Sequence, residues 1–146
     1  MMPYKERLSH ELKSNGLRVT KARLYVLELF HATSKALSHQ DIEERLQSKG
    51  IDLDTVTIYR TLSSLTKADI IHKITGSDRS FHYAYVNSSK HTGHINTSSH
   101  PHFTCQKCTH TYCLPELVSP ITIETPKGFQ YTHAEITLVG FCPQCA

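Results

Sequence analysis

Four of the chain's five cysteines form two C-x-x-C pairs, Cys105/Cys108 and Cys142/Cys145, with 33 residues between the pairs. Four thiolates that arrive as two close pairs can complete a tetrahedral shell around one Zn²⁺ and leave no position open for water. A closed shell of this kind is typical of a structural site, and it would fasten the second pair to an earlier hairpin. The spacing therefore predicts one structural zinc in the last third of the sequence.

Two other interpretations of these cysteines stay open. A single C-x-x-C is also the pattern of a redox pair, although two pairs at this separation match the zinc-ribbon arrangement better. Disulfide-bonded cysteines would require an oxidising compartment. The first residues lack the charged-then-apolar order of a signal peptide, and no apolar stretch approaches membrane length. We therefore predict a cytoplasmic protein with reduced cysteines.

Charge divides the chain of 146 residues into two unlike parts. Residues 1–86 carry 13 Lys+Arg against 10 Asp+Glu, whereas residues 87–146 carry 3 of each, so the excess of +3 lies in the first part. Such a basic excess permits a nucleic-acid partner. Residues 87–99 are polar and lack any periodicity, which predicts a linker. The expected organisation is an N-terminal domain over 1–86, a hinge over 87–99 and a metal-binding domain over 100–146.

The first part has a mostly helical pattern. A first helix is predicted over 4–13, and Thr20 can cap a second. Ser38 and Asp41 resemble a capping box with Asp in place of Glu at the start of a third helix, which should end near Gly50.

A fourth helix, capped by Asp54, carries the strongest functional signal. Its core stripe is predicted to be Ile58, Leu62 and Leu65. Four polar residues project together on the opposite face, with Tyr59 on the flank: Thr57, Arg60, Thr61 and Ser64. Hydroxyls and a guanidinium suit phosphate oxygens and base edges in a major groove, whereas an ordinary solvated face would carry more Glu and Lys.

Residues 70–75 and 80–85 alternate around a Gly-containing turn and predict a β-hairpin. Helices followed by such a hairpin give the order of a winged helix, whose third core helix enters the major groove.

Five short blocks follow one another along the chain: Thr20-Lys21-Ala22-Arg23, Ser38-His39-Gln40-Asp41-Ile42, Val56-Thr57-Ile58-Tyr59-Arg60-Thr61-Leu62, His100-Pro101-His102-Phe103-Thr104-Cys105-Gln106-Lys107-Cys108 and Gly140-Phe141-Cys142-Pro143-Gln144-Cys145. In combination they resemble the ferric uptake regulator (Fur) superfamily. The resemblance implies an α+β protein that is a homodimeric, metal-responsive transcription regulator, usually a repressor. It further implies an N-terminal winged-helix DNA-binding domain, a small C-terminal α/β dimerisation domain and a palindromic DNA operator.

The resemblance also assigns roles to residues. By position, Tyr59 and Arg60 would contact DNA, with Arg23 and Thr57 assisting. A regulatory metal site would draw on His82, His100, His102 and Cys113.

Three imidazoles and a thiolate suit Zn²⁺ better than Fe²⁺ or Mn²⁺, so a zinc-sensing, Zur-like regulator is favoured over an iron-responsive one. An aspartate is expected at the Cys113 position of peroxide sensors, which disfavours that branch. The proposed switch is a population shift, with the metal as corepressor.

Several features depart from the family pattern or stay ambiguous. Further candidate ligands are His72, His91, His94 and His133. The family often places a histidine where this chain has Ala36, and His39 lies one turn beyond. Cys113 could instead be a redox-reactive or merely buried thiol. His10 and His31 are predicted to be isolated surface residues. Three prolines interrupt the segment expected to hold the helix of the second domain: Pro115, Pro120 and Pro126.

The sequence fits functions of two other classes less well. A zinc enzyme would need an open ligand position and a nearby general base, and residues 80–115 contain no Asp or Glu. A zinc-ribbon module that binds RNA or another protein is the remaining alternative.

Overall fold

The computed structural model describes residues 2–76, 79–86, 100–114, 117, 124–132 and 134–146. The chain divides into two compact units, Met1–Val86 and Asn87–Ala146. The predicted linker, residues 87–99, lies outside the described residues. No helix in the described ranges is long and apolar enough to cross a membrane. Helices and two small sheets together confirm the α+β class.

Four helices form most of the first unit: α1 (Tyr4–Ser14), α2 (Lys21–His31), α3 (His39–Ser48) and α4 (Thr55–Lys67). Their predicted caps are confirmed. Thr20 Oγ1 accepts a hydrogen bond from the Arg23 amide at 3.2 Å. Ser38 and Asp41 exchange the two hydrogen bonds of a capping box, with distances of 3.1 Å and 2.8 Å. These side chains satisfy amide groups that the first turn of a helix leaves without intrahelical partners.

A three-stranded antiparallel sheet completes the first unit, with strands β1 (Leu37–Ser38), β2 (Ile71–Thr75) and β3 (Phe81–Tyr85) in the order β1-β3-β2. The hairpin of β2 and β3 is the predicted wing. Strand β1 was not predicted, because two residues are too few to show an alternating pattern. It pairs with β3 through Leu37 opposite Tyr83 and thereby ties the start of α3 to the wing.

The core of the first unit collects apolar residues from all four helices and the hairpin. The predicted stripe of α4 is confirmed, since Ile58, Leu62 and Leu65 are each fully buried. They pack in one cluster with residues of the other elements: Leu8, Leu12, Val26, Leu27, Leu29, Phe30, Leu37, Ile42, Leu46, Ile70, Ile71 and Tyr83. Burial on this side of α4 leaves its other side to solvent.

A polar cluster joins α1, α2 and the end of the wing. Glu11 Oε2 lies 3.0 Å from His31 Nε2, and the Tyr85 hydroxyl donates a hydrogen bond of 2.8 Å to Glu11 Oε1. The rings of His31 and Tyr85 are in contact, with centroids 4.4 Å apart. The prediction that nothing clusters with His31 is therefore wrong. Its partners lie 20 and 54 positions away in sequence, so local pattern could not reveal them.

This cluster predicts a specific acid sensitivity. Burial pushes the pKa of Glu11 up, but hydrogen bonds with His31 and Tyr85 outweigh burial and hold it below the ordinary carboxyl value. The ionised Glu11 therefore stabilises the fold above a pH of about 4.3, and this contribution is lost as the pH falls through the lower, folded-state pKa. Denaturant unfolding at a series of pH values should show a gap in unfolding free energy between the unaltered protein and Glu11→Gln that shrinks below about pH 4. A difference in unfolding free energy that stays constant down to about pH 3 would contradict the role given to this carboxylate.

The second unit contains strands β4 (His102–Cys105), β5 (Thr111–Cys113) and β6 (Thr137–Gly140) in the order β5-β4-β6. Strands β4 and β5 form an antiparallel hairpin, whereas β6 pairs with β4 in parallel. The parallel register sets Gly140 beside Cys105, and the Gln106 amide donates to the Gly140 carbonyl at 2.7 Å. This pairing brings the second C-x-x-C next to the first. The segment expected to contain a helix, residues 115–126, lies mostly outside the described residues.

Candidate functional site

The two C-x-x-C pairs converge at one end of the second sheet. The Sγ atoms of Cys105, Cys108, Cys142 and Cys145 all lie within 4.8 Å of one another. A tetrahedral Zn²⁺ with bonds of about 2.3 Å places its sulfur ligands about 3.8 Å apart. Cys108 Sγ and Cys142 Sγ are 3.8 Å apart, and no disulfide joins these cysteines. The four residues thus fit a closed structural zinc site.

Electrostatics around these thiols also fit a metal site. Backbone amides of Cys108 and Cys142 point at the Cys105 sulfur and lower its pKa to about 6, and the Cys142 N–H lies 3.4 Å from it. By contrast, interaction with the Cys142 sulfur, together with burial, raises the pKa of Cys145 to about 12. Burial pushes the pKa of Cys142 up, but hydrogen bonds, the largest of them from the Gln144 backbone, outweigh burial and lower that pKa as well. Negative charge is therefore favoured at Cys105 and Cys142 and costly at Cys145. A divalent cation removes that cost, because thiolates are the forms that bind it.

A second group of ligand-type side chains lies on the β4–β5 hairpin. His102 and Cys113 are directly opposite each other in the register, so their side chains share one face of the sheet. His100 precedes His102 by two residues, and their ring centroids are 4.7 Å apart. Ligand atoms of His100, His102 and Cys113 lie within 4.8 Å of one another, and both imidazoles are buried. The hairpin thus gathers two nitrogens and one sulfur.

The protonation state of His102 favours metal binding. Burial and the neighbouring His100 lower the pKa of His102 to about 4, so its imidazole is neutral at neutral pH. Neutral imidazole is the form that coordinates metals. An N₂S set without carboxylates suits a borderline-soft ion such as Zn²⁺ better than Fe²⁺ or Mn²⁺.

Two further predicted histidines are described in the first unit. His72 and His82 lie in the first unit, on β2 and β3, where their registers opposite Ala84 and Ile74 put them on the same face of the wing. His72 is buried; His82 is half-buried, with Nδ1 3.4 Å from Ser80 Oγ. Within the described part of the first unit alone, neither joins a group of three or more potential ligands. His91, His94 and His133 lie outside the described residues.

The exposed face of α4 differs from the predicted one. Four residues at helical spacing are open to solvent: Val56, Tyr59, Arg60 and Ser63. The prediction that Thr61 lies on this face is wrong, since it is only 5% exposed and its hydroxyl donates to the Thr57 carbonyl at 2.8 Å. Tyr59, expected on the flank, is instead 54% exposed beside Arg60.

Arg23 explains why one flank of α4 is covered. Its Nε donates to Ser64 Oγ at 3.2 Å, and its guanidinium donates to the Arg18 carbonyl at 2.6 Å. The half-buried Arg23 is thereby held against α4 by hydrogen bonds to a side chain and a carbonyl. Thr57, also half-buried, donates its amide to Asp54 at the helix cap. The exposed face of α4 is therefore centred on Tyr59 and Arg60.

Comparison with known proteins bears on the family and the fold. The model of the ferric uptake regulator family matches residues 14–139. A ferric uptake regulation protein from Synechococcus elongatus is 27% identical over 143 residues, covering 94% of this chain and 92% of that protein. A zinc uptake regulator complexed with zinc and DNA superposes with a TM-score of 0.65 at 21% identity, covering 98% of this chain and 95% of that one. The ferric uptake regulator of Vibrio cholerae superposes with a TM-score of 0.62 at 19% identity, over 92% and 98% of the two chains. At these identities the structural likeness shows the shared fold.

Proposed function

Because the chain belongs to the ferric uptake regulator family, whose members are metal-responsive transcription regulators and not enzymes, we propose that it is a zinc-responsive repressor. The observation that carries this proposal is the cluster of His100, His102 and Cys113 beside a separate Cys₄ site. Two sites of different composition allow one zinc to stabilise the fold of the second unit, while a second metal exchanges with the solution.

The choice of zinc over iron rests on the ligands. Related proteins include regulators named for iron and for zinc, so family membership alone leaves the metal open. His100, His102 and Cys113 supply no hard carboxylate oxygen. We propose that a histidine of the wing supplies an additional ligand. His82 is the preferred candidate, and His72 is the second. Zinc affinity of the His82→Ala and His72→Ala variants would separate them.

The proposed DNA interface is the exposed face of α4. Arg60 is exposed at its centre, and a guanidinium there can reach guanine or phosphate. Tyr59 presents an aromatic ring and a hydroxyl next to it, which suit a thymine methyl or a phosphate. The basic excess of residues 1–86 supports the same partner.

A second copy of the chain is the proposed partner of the second unit. Strand β6 stands at the edge of its sheet, and it exposes Leu138 by 42% and Val139 by 52%, followed by Phe141 by 58%. Exposed apolar side chains along a strand edge are typical of a surface that another chain covers. A homodimer would present two copies of α4 and would require a palindromic operator.

Metal dependence is proposed to act through populations. If His100, His102 and Cys113 bind zinc more tightly in the DNA-competent arrangement of the dimer, zinc favours that arrangement by its differential affinity. Bound zinc would supply the cross-link among these side chains, and the chain supplies the DNA contacts. The metal then acts as corepressor.

Replacement of Arg60 tests the DNA interface. The probe is a duplex enriched from a random pool by the unaltered, zinc-loaded protein, called here the selected duplex. Arg60→Ala should weaken binding to it by roughly five- to 150-fold, as expected for one lost base contact of about 1–3 kcal/mol. Lys67→Ala removes a charge from the end of the same helix and is the matched control, with a loss of less than about threefold. Fluorescence anisotropy measures both.

Two results would contradict the proposal. One is equal binding by the unaltered protein and the Arg60→Ala variant. The other is a random pool from which no duplex is enriched, or which yields single strands instead. A selected duplex without two-fold symmetry would contradict the dimeric arrangement alone.

A further inference from the structure

His39, the first residue of α3, stacks on Tyr59, which lies on the exposed face of α4. Their ring centroids are 4.1 Å apart, and the rings are inclined by only 25°. His39 Nε2 is buried, and it has no hydrogen-bond partner among the described residues. The ring face of His39 contacts Tyr59, whereas its buried Nε2 makes no hydrogen bond to the described residues that would explain its place.

Tyr59 is partly fixed although it is exposed. One face of its ring is covered by His39, while 54% of the residue stays open to solvent. A side chain from α3 thus covers one face of a residue of α4 at the predicted DNA contact.

We propose that His39 is a positioning residue for DNA recognition, which holds the Tyr59 ring in the orientation that contacts the duplex. This inference rests on the proposed function of α4. An exposed tyrosine on a helix ordinarily samples several rotamers, and DNA binding would have to order it. A ring that is already stacked loses less conformational freedom when DNA binds, because the folded protein has already restricted its rotamers.

The alternative role for His39, a ligand of the regulatory metal, has no support in this geometry. Within the described part of the first unit, His39 belongs to no group of potential ligands. Its neighbour is an aromatic ring of the recognition helix. His39, one turn beyond Ala36, thus lies beside the face of α4 that is proposed to contact DNA.

The test compares His39→Ala, which removes the ring, with His39→Phe, which keeps a flat ring and removes the nitrogens. His39→Ala should bind the selected duplex about two- to tenfold more weakly, the range expected for one aromatic pair. His39→Phe should stay within about twofold of the unaltered protein, because stacking is retained. Affinity for a scrambled duplex should stay unchanged in both variants. A defect of the fold would instead lower a variant's affinity for the selected and the scrambled duplex alike.

Coupling to Tyr59 decides the assignment. In a Tyr59→Ala background, His39→Ala should cause no further loss of affinity, because the ring that it positions is gone. Additive losses in this double-mutant cycle, or full affinity in His39→Ala, would overturn the proposal.

A measurement without DNA separates this inference from the proposed function. In proton NMR spectra, the ring signals of Tyr59, identified by their absence in Tyr59→Leu, should be shifted by the neighbouring imidazole. The shift should disappear in His39→Ala and persist in His39→Phe. If no duplex is ever enriched, the proposed function fails, but the NMR measurement still tests the stack. Tyr59 signals that stay unchanged in His39→Ala would overturn the positioning role of His39.

Discussion

A Cys105→Ser variant is expected to lose its tightly bound zinc and, with it, the folded structure of residues 100–146. Cys105 is fully buried, its sulfur accepts a hydrogen bond from the Cys142 amide, and backbone amides lower its pKa to about 6. Structural zinc contributes on the order of 10 kcal/mol to small domains, which is comparable to the whole stability of a domain. Zinc content after dialysis against a mild chelator should fall from one tight zinc per chain to none, and thermal unfolding of the second unit should no longer be cooperative.

Cys113→Ser is the matched control for this experiment. It makes the same chemical change eight positions along the chain, outside the Cys₄ group. The tight zinc and the cooperative transition should both persist. Retention of the tight zinc by Cys105→Ser, or its loss from Cys113→Ser, would contradict the assignment of the structural site.

The second large effect is expected at the hairpin cluster. Cys113→Ser and His102→Ala should each lose the second, exchangeable metal and the response of DNA binding to zinc, because each removes one of three converging ligands. Affinity for the second zinc should fall by at least about 100-fold, and binding to the selected duplex at a fixed zinc level should fall by about tenfold or more. Competition with a chromogenic chelator measures the first, and anisotropy measures the second.

His10→Ala, at an exposed position of α1, controls for the loss of a histidine as such. His102 is buried, so His102→Ala is also checked by thermal unfolding, and Cys113→Ser provides an independent variant. A Cys113→Ser protein that still responds to zinc as the unaltered protein does would remove Cys113 from the site. It would then favour the redox or buried-thiol interpretation of this cysteine.

Local pattern predicted much of the first unit. Caps such as Thr20 and Ser38 are short-range features, since the capping side chain and its amide partner lie three positions apart. The stripe of Ile58, Leu62 and Leu65 follows from helical periodicity alone. The C-x-x-C spacing likewise predicted a cluster that the strand register assembles.

Long-range contacts account for what the sequence did not reveal. Helical projection predicts Thr61 opposite the core stripe, but its hydroxyl donates to a carbonyl of its own helix, and this lets the residue be buried. The stack of His39 on Tyr59 joins residues 20 positions apart, and the bond between Tyr85 and Glu11 spans 74. Neither leaves a periodic signal. The convergence of His100, His102 and Cys113 followed from a family resemblance, and the β4–β5 register supplies its physical cause.

If zinc bound outside the Cys₄ site controls DNA binding, affinity for DNA must follow the occupancy of that second site. Protein that retains its single tight zinc is titrated with buffered zinc, and in parallel with Fe²⁺ under anaerobic conditions, while anisotropy follows binding to the selected duplex. Affinity should rise by about tenfold or more as a second zinc binds, with a weaker response to iron. Equal affinity with and without chelator would contradict metal control, and a response to iron alone would contradict zinc as the sensed metal.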